Sequence, residues 1–147
     1  MPVPTALASD EELRFAAGLE AYDAGDFETA FNVWRPLAEA GHLDAQVSLA
    51  EFYLNGLGVA ADVAAGVAWY RRAAEAGDPV AQLNLGDLYA RGFLVRRDLV
   101  EAFAWLELAA RQGKTWAAAR RDEIAPRLTL AERAEAQARI ARYRASE

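Results

Sequence analysis

Side chains able to carry covalent or metal chemistry are scarce in this chain. Its 147 residues include no cysteine and a single histidine, His42, which excludes thiolate nucleophiles, disulfides, cysteine–metal sites and histidine clusters. The three serines, Ser9, Ser48 and Ser146, do not combine with a base in any nucleophilic pattern. His42 falls between two expected helices and reads as an ordinary loop histidine. Gly56-Leu-Gly58 looks like a fragment of a phosphate loop, but it lacks the preceding strand, the third glycine and the Lys-Ser/Thr pair, so it reads as a turn. No catalytic residue, cofactor or metal is expected.

Carboxylates are the groups whose spacing does suggest a role. Glu51 and Asp87 stand 36 residues apart, Glu123 follows by another 36, and Glu20 takes the matching place in an earlier, shorter unit. On one wall they would form an acidic column beside Val47, Leu54, Leu83 and Ala90, with Arg91 one turn beyond Asp87. Such a wall suits a basic or amphipathic segment of a protein or peptide partner: charge guides the encounter and the apolar floor supplies affinity. The plain alternative is four solvated carboxylates, where an exposed ion pair contributes only ~0 to 1 kcal/mol. Acid–base catalysis would need two close carboxylates, one of them desolvated, and a repeat spacing holds them about a helix diameter or more apart.

The elements that must position these residues announce themselves by repetition. Ala45-Gln-Val-Ser-Leu49 recurs as Ala81-Gln-Leu-Asn-Leu85, and the offset of 36 continues without a gap through Tyr53/Tyr89, Gly56/Gly92, Asp62/Asp98, Trp69/Trp105 and Gly77/Gly113. A third, imperfect copy precedes them, with Gly18 to Gly25 aligning at an offset of 31. A fourth begins at Trp116 and has lost its tyrosine and glycine columns, as a terminal cap does.

Each unit carries helical periodicity twice, through Val47, Leu49, Phe52 and Tyr53 and then through Val67, Tyr70, Ala73 and Ala74, so the unit is a helical hairpin. Asp26, Asp62 and Asp98 are placed to cap the second helices, and glycines follow the helix ends where a left-handed residue is needed. Ser9-Asp-Glu-Glu12 and Thr129-Leu-Ala-Glu132 have the form of capping boxes. The expected helices span about 10–24, 27–40, 44–55, 62–76, 79–91, 98–112, 115–127 and 130–145. Ala50, Ala74, Gly86 and Ala110 allow helices to approach closely, while Trp69, Trp105, Tyr53 and Tyr89 fill the spaces between hairpins. Leu130, Ala134, Ala138, Ile140, Ala141 and Tyr143 are expected to turn the last helix against the open end of the stack, leaving Arg133, Arg139, Arg142 and Arg144 on its solvated face.

The series Ala-Gln-x-x-Leu-x-x-x-Tyr-x-x-Gly, then Val, Asp, Trp and Ala-Ala-x-x-Gly, resembles the Sel1-like repeat, a relative of the tetratricopeptide repeat, over residues 45–113. The first unit, with Gly18, Gly25-Asp26-Phe27, Ala30 and Trp34, looks more like a plain tetratricopeptide repeat. Leu94 departs from the pattern where the preceding unit has Gly58, which leaves that loop's conformation open. The resemblance implies an all-α, α/α solenoid of about four stacked hairpins with a C-terminal capping helix. It would be one domain over 1–147: a tetratricopeptide-like unit at about 10–43, Sel1-like units at 44–78 and 79–113, and a terminal hairpin at 114–147. It also implies a protein–protein interaction adaptor or scaffold that binds on the concave wall lined by the first helices. A small regulatory or inhibitory subunit of a signalling or secretion system is the alternative. Some Sel1-like proteins bind or hydrolyse β-lactams, but they are typically cysteine-rich and exported, so that reading is minor.

Charge narrows the partner. The net charge is −6, with 2 basic and 11 acidic residues in 1–70 against 14 and 11 in 71–147. That balance disfavours nucleic acid, which needs clustered cations. The first ten residues show neither a basic n-region nor a long apolar run, and no membrane span is legible, so a cytoplasmic protein is expected. Oligomeric state is left open. Trp116, where the other units have Asp44 and Val80, would anchor a partner if it is exposed.

Overall fold

A computed structural model describes residues 8–145. Ser146 and the first seven residues, over which a leader was sought, lie outside them. Among the described residues the chain is all helical: α1 (Asp10–Asp23), α2 (Phe27–Glu39), α3 (Leu43–Asn55), α4 (Val63–Glu75), α5 (Pro79–Arg91), α6 (Leu99–Arg111), α7 (Thr115–Ile124) and α8 (Leu130–Ala145). A 3₁₀ turn at Ala125–Arg127 replaces the last turn expected of α7. Pro126 supplies no N–H there to continue the α-helical ladder.

Local chemistry sets these boundaries. Asp26, Asp62 and Asp98 each accept a hydrogen bond from the backbone N–H three residues on, as N-caps of α2, α4 and α6. Ser9/Glu12 and Thr129/Glu132 form reciprocal capping boxes. His42 is not a passive loop residue: its Nδ1 accepts from Ala45 N at 3.1 Å, capping α3 in the place that Asp78 holds for α5. At the end of α4, Gly77 has φ 95°, and the N–H groups of Gly77 and Asp78 donate to Ala74 and Ala73. The same left-handed stop recurs at Gly41 and Gly113.

Helices α1/α2, α3/α4 and α5/α6 pair as hairpins, and each second helix packs on the first helix of the next. Close approach depends on missing side chains. A Cβ on Gly18 would overlap the indole nitrogen of Trp34, which donates to Phe15 O at 3.1 Å, and one on Gly86 would press Leu106. The Ala-Gln pair has a polar task at each junction. Gln46 Nε2 donates to Ala38 O at 3.0 Å and Gln82 Nε2 to Ala74 O at 3.2 Å, satisfying carbonyls near the ends of α2 and α4. Gln82 Oε1 accepts in turn from Gln112, whereas Gln46 Oε1 accepts from none of the described residues.

Helix α8 lies against α6, and its inward face differs from the expected one. Leu130 is 87% exposed, and Ala134, Ala138 and Ala141 face solvent; Ala136, Ile140 and Tyr143 point inward. Tyr143 stacks on the fully buried Trp105, ring centroids 4.1 Å apart. Arg139 is not on a solvated face. It meets Glu101 at 2.6 Å and Asp98 at 3.4 Å.

Glu101 is the hub of this contact, buried on α6. It accepts from Trp105 Nε1 (2.9 Å), Tyr143 Oη (2.7 Å), Arg139, and Arg71 of α4 (3.3 Å), which also donates to Tyr89 Oη at 2.9 Å. Desolvation alone would raise the Glu101 pKa, but the donors Tyr143, Arg139 and Trp105 and the Arg71 charge hold it below its ordinary value. Burial, then the bond to Glu101, pushes the Tyr143 hydroxyl up to about 12.

Two outcomes follow from this packing. Gly18→Ala is expected to lower unfolding free energy by ~1–3 kcal/mol through overpacking against Trp34, read by urea denaturation. Glu101→Gln, which removes the buried charge while Arg139 keeps Asp98 and Glu135 and Arg71 keeps Glu75, is expected to cost about 1–3 kcal/mol at neutral pH. Because the folded-state pKa of Glu101 is depressed, its contribution is complete above the unfolded value of ~4.3 and is lost as pH falls through the folded value. The stability gap between wild type and Glu101→Gln should therefore narrow on acidification, in urea titrations at neutral and acid pH.

Candidate interaction surfaces

The first helices, α1, α3, α5 and α7, carry the acidic column, and its members are not alike. Asp87 meets Arg91 at 2.9 Å and Arg120 of α7 at 3.7 Å, and Arg120 also meets Glu123 at 2.8 Å. Arg120 thus ties Asp87, Arg91 and Glu123 into one ion-pair cluster, which sequence spacing did not reveal because the cation lies outside the repeated columns. Glu20 and Glu51, by contrast, are exposed and have no cation bonded to them among the described residues.

The apolar members divide as well. Val47, Leu54 and Leu83 are half-buried against the core, and Ala90 is buried. Leu54 also lies where a Cβ on Gly66 would be, so it packs within its own hairpin. A small cleft of about 230 Å³ opens instead between α1 and α3, lined by Leu19, Tyr22, Trp34, Ser48, Glu51 and Phe52. Desolvation raises the Glu51 carboxyl pKa even though the residue keeps an open edge. Leu13, Leu19 and Tyr22 are large apolar side chains exposed on α1. Trp116 is 48% exposed in the first turn of α7, and Val80 38% in that of α5.

A second and larger opening, about 1080 Å³, lies at the hairpin ends. The start of α4, the α5–α6 loop, the start of α6 and Glu132 of α8 surround it. Leu94 in that loop has φ 65°, the same left-handed conformation as Gly58 in the α3–α4 loop, and no other described non-glycine residue has a positive φ. The loop path is therefore kept at the expense of backbone strain. Phe93 is 61% exposed and Leu94 43%.

None of these places gathers catalytic groups. Among the described residues no cluster of three or more His, Cys, Asp or Glu side chains is arranged to hold a metal ion, and no helix is long and apolar enough to cross a membrane. Glu101 holds the fold's most densely bonded carboxylate, but its donors are structural partners that leave it buried.

Comparison with known proteins agrees with this architecture. The Sel1 repeat model matches residues 43–78 and 79–114. A protective antigen of uropathogenic Escherichia coli, c5321, described as displaying an SLR fold, superposes with a TM-score of 0.82 at 28% identity; the match covers 92% of this chain and 30% of that one. A Sel1 repeat protein from Oxalobacter formigenes superposes with a TM-score of 0.69 at 36% identity, over 78% of this chain and 89% of its own. No curated protein sequence matches the chain. Sel1 repeats are generally protein–protein interaction modules. With two matched repeats inside a stack of helical hairpins, and a 36%-identical Sel1 repeat protein covered over nearly its whole length, this chain belongs to the Sel1 repeat family.

Proposed function

We propose that this chain is an adaptor or scaffold whose first-helix wall receives a basic, amphipathic segment of a protein partner. The observation that carries the reading is the contrast along the acidic column. Asp87 and Glu123 are neutralised by Arg91 and Arg120, whereas Glu20 and Glu51 stand unpaired beside an apolar cleft and the exposed Leu13, Leu19 and Tyr22. An apolar side chain in the cleft, with Lys or Arg at one helical turn to either side, would complete both the packing and the charge.

Asp87, Arg91 and Glu123 then have a different task from Glu20 and Glu51. Their cluster joins α5 to α7 and presents a nearly neutral stretch of wall, over which Val47 and Leu83 contribute apolar edge. Trp116 and Val80, at equivalent places in successive units, offer a second apolar hold. Large aromatic side chains in such positions often dominate binding energy. The resulting binding mode needs no bound cofactor: affinity comes from desolvating the cleft, and the carboxylates favour one sign of partner.

The decisive experiment is to recover partners with the full chain from its native cells and measure the affinity of each purified partner. Reversing charge in Glu20→Lys/Glu51→Lys is expected to weaken a true wall partner by ~10-fold or more. The change should leave circular dichroism unaltered, because both side chains are exposed. Unchanged affinity would reject the acidic wall as the site. Trp116→Ala is expected to cost the same partner ~1–2 kcal/mol in isothermal titration, with folding unaffected.

A further inference from the structure

The α5–α6 loop departs from the α3–α4 loop in side chains but not in path. Asp62 N donates to Tyr53 O at 2.8 Å and Asp98 N to Tyr89 O at 3.1 Å, both aspartates then cap the following helix, and Gly58 and Leu94 share a φ of 65°. On that common frame, Leu57, Gly58, Ala60 and Ala61 of one loop are replaced by Phe93, Leu94, Arg96 and Arg97 of the other.

The replacement at Leu94 has a steric effect. In the α3–α4 loop, Gly58 lies so close to the start of α2 that a Cβ would overlap the Phe27 carbonyl. Val63 of α4 occupies the place that Phe27 has in α2, 36 residues earlier. A leucine at the loop position forbids the same approach to Val63, so the loop stands off and the 1080 Å³ groove opens beside it. Val63, Val67 and Leu99 give it an apolar floor, and Arg96 and Arg97 line its edge.

The charge of that groove is unbalanced. Asp98 is held by Arg139 and caps α6, and Glu132 closes the capping box of α8. Arg96 and Arg97 are exposed and make no ion pair with any described residue, although most arginines on α4 to α7 are paired. Two unpartnered guanidinium groups above an apolar floor match carboxylates flanking aliphatic or aromatic side chains. Two cations are too few for a nucleic-acid track, which needs a longer run of them.

We propose that this groove is a second docking site, which takes an acidic, apolar peptide segment of another protein. It is independent of the acidic wall on the first helices and selects the opposite sign of partner. Leu94 wedges the groove open, Phe93 extends its apolar rim, and Arg96 and Arg97 read the carboxylates.

A display library of random peptides, selected on the immobilised full chain, tests this. The expected result is an enriched class carrying Asp or Glu beside large apolar residues. Its affinity should fall ~10-fold or more in Arg96→Glu/Arg97→Glu, weaken as salt rises, and persist in Glu20→Lys/Glu51→Lys. Leu94→Gly should also reduce binding, by letting the loop close on α4. Failure to enrich such a class overturns the proposal, as does retention of its affinity in the arginine variant or in Leu94→Gly. Basic peptides lost only in Glu20→Lys/Glu51→Lys report on the acidic wall, so the two sites succeed or fail separately.

Discussion

Everything in this molecule depends on how closely its helices can approach. A solenoid of short hairpins has no single large core, so each interface must be dense on its own. Here density is reached by subtraction: Gly18 receives the Trp34 indole, Gly86 receives Leu106, and Ala50, Ala73, Ala74 and Ala81 are almost fully buried between larger neighbours. The aromatic side chains then fill the recesses that the small residues leave, as Trp34, Phe52 and Phe15 do around α1–α3. Once those distances are fixed, the outer positions of α1, α3, α5 and α7 fall on one wall, and the loops at the hairpin ends are free to differ.

The second organising interaction is electrostatic. Five ion pairs among the described residues are i,i+4 contacts at least partly open to solvent, and these contribute little. The Glu101 cluster differs because the carboxylate is buried and gathers donors from α4, α6 and α8. A buried charge of this kind is poor as a source of net stability but strict about geometry: without Arg139 and Tyr143 in place, its desolvation is uncompensated. It therefore helps to fix where α8 docks, alongside the inward-facing Ala136, Ile140 and Tyr143.

Much of this was legible in the sequence, for a physical reason. A repeat offset of 36 residues fixes equivalent positions, and caps such as Asp62 and Asp98 or stops such as Gly77 and Gly113 act through backbone hydrogen bonds within a few residues. Helix boundaries and hairpin pairing followed from those local rules. What escaped were contacts made by long side chains between units. Arg120 reaches Asp87, Arg139 reaches Glu101, and Arg71 reaches both Glu101 and Tyr89; helical periodicity says which way a residue faces but not which distant charge it meets. Leu130 misled because hydrophobic type suggested burial in a helix whose first turn projects into solvent. His42 misled because its capping nitrogen lies outside the usual set of N-cap residues. The loop substitutions at Phe93, Leu94, Arg96 and Arg97 were visible as departures from the repeat, but the space they open exists only once α4 and α8 are placed around them.

The two glutamines at the hairpin junctions give the stack a direction. Gln82 is clamped on both ends of its amide, to Ala74 O and to Gln112, while Gln46 is held through its nitrogen alone, because Ala76 stands where Gln112 stands one unit later. The seam between α2 and α3 leans on rings instead: Phe27 and Trp34 pack on Phe52, and Phe31 meets Tyr53 edge-on. One junction is thus set by ring packing and the next by amide geometry, so adjacent units meet at the same repeat offset through different side-chain chemistry.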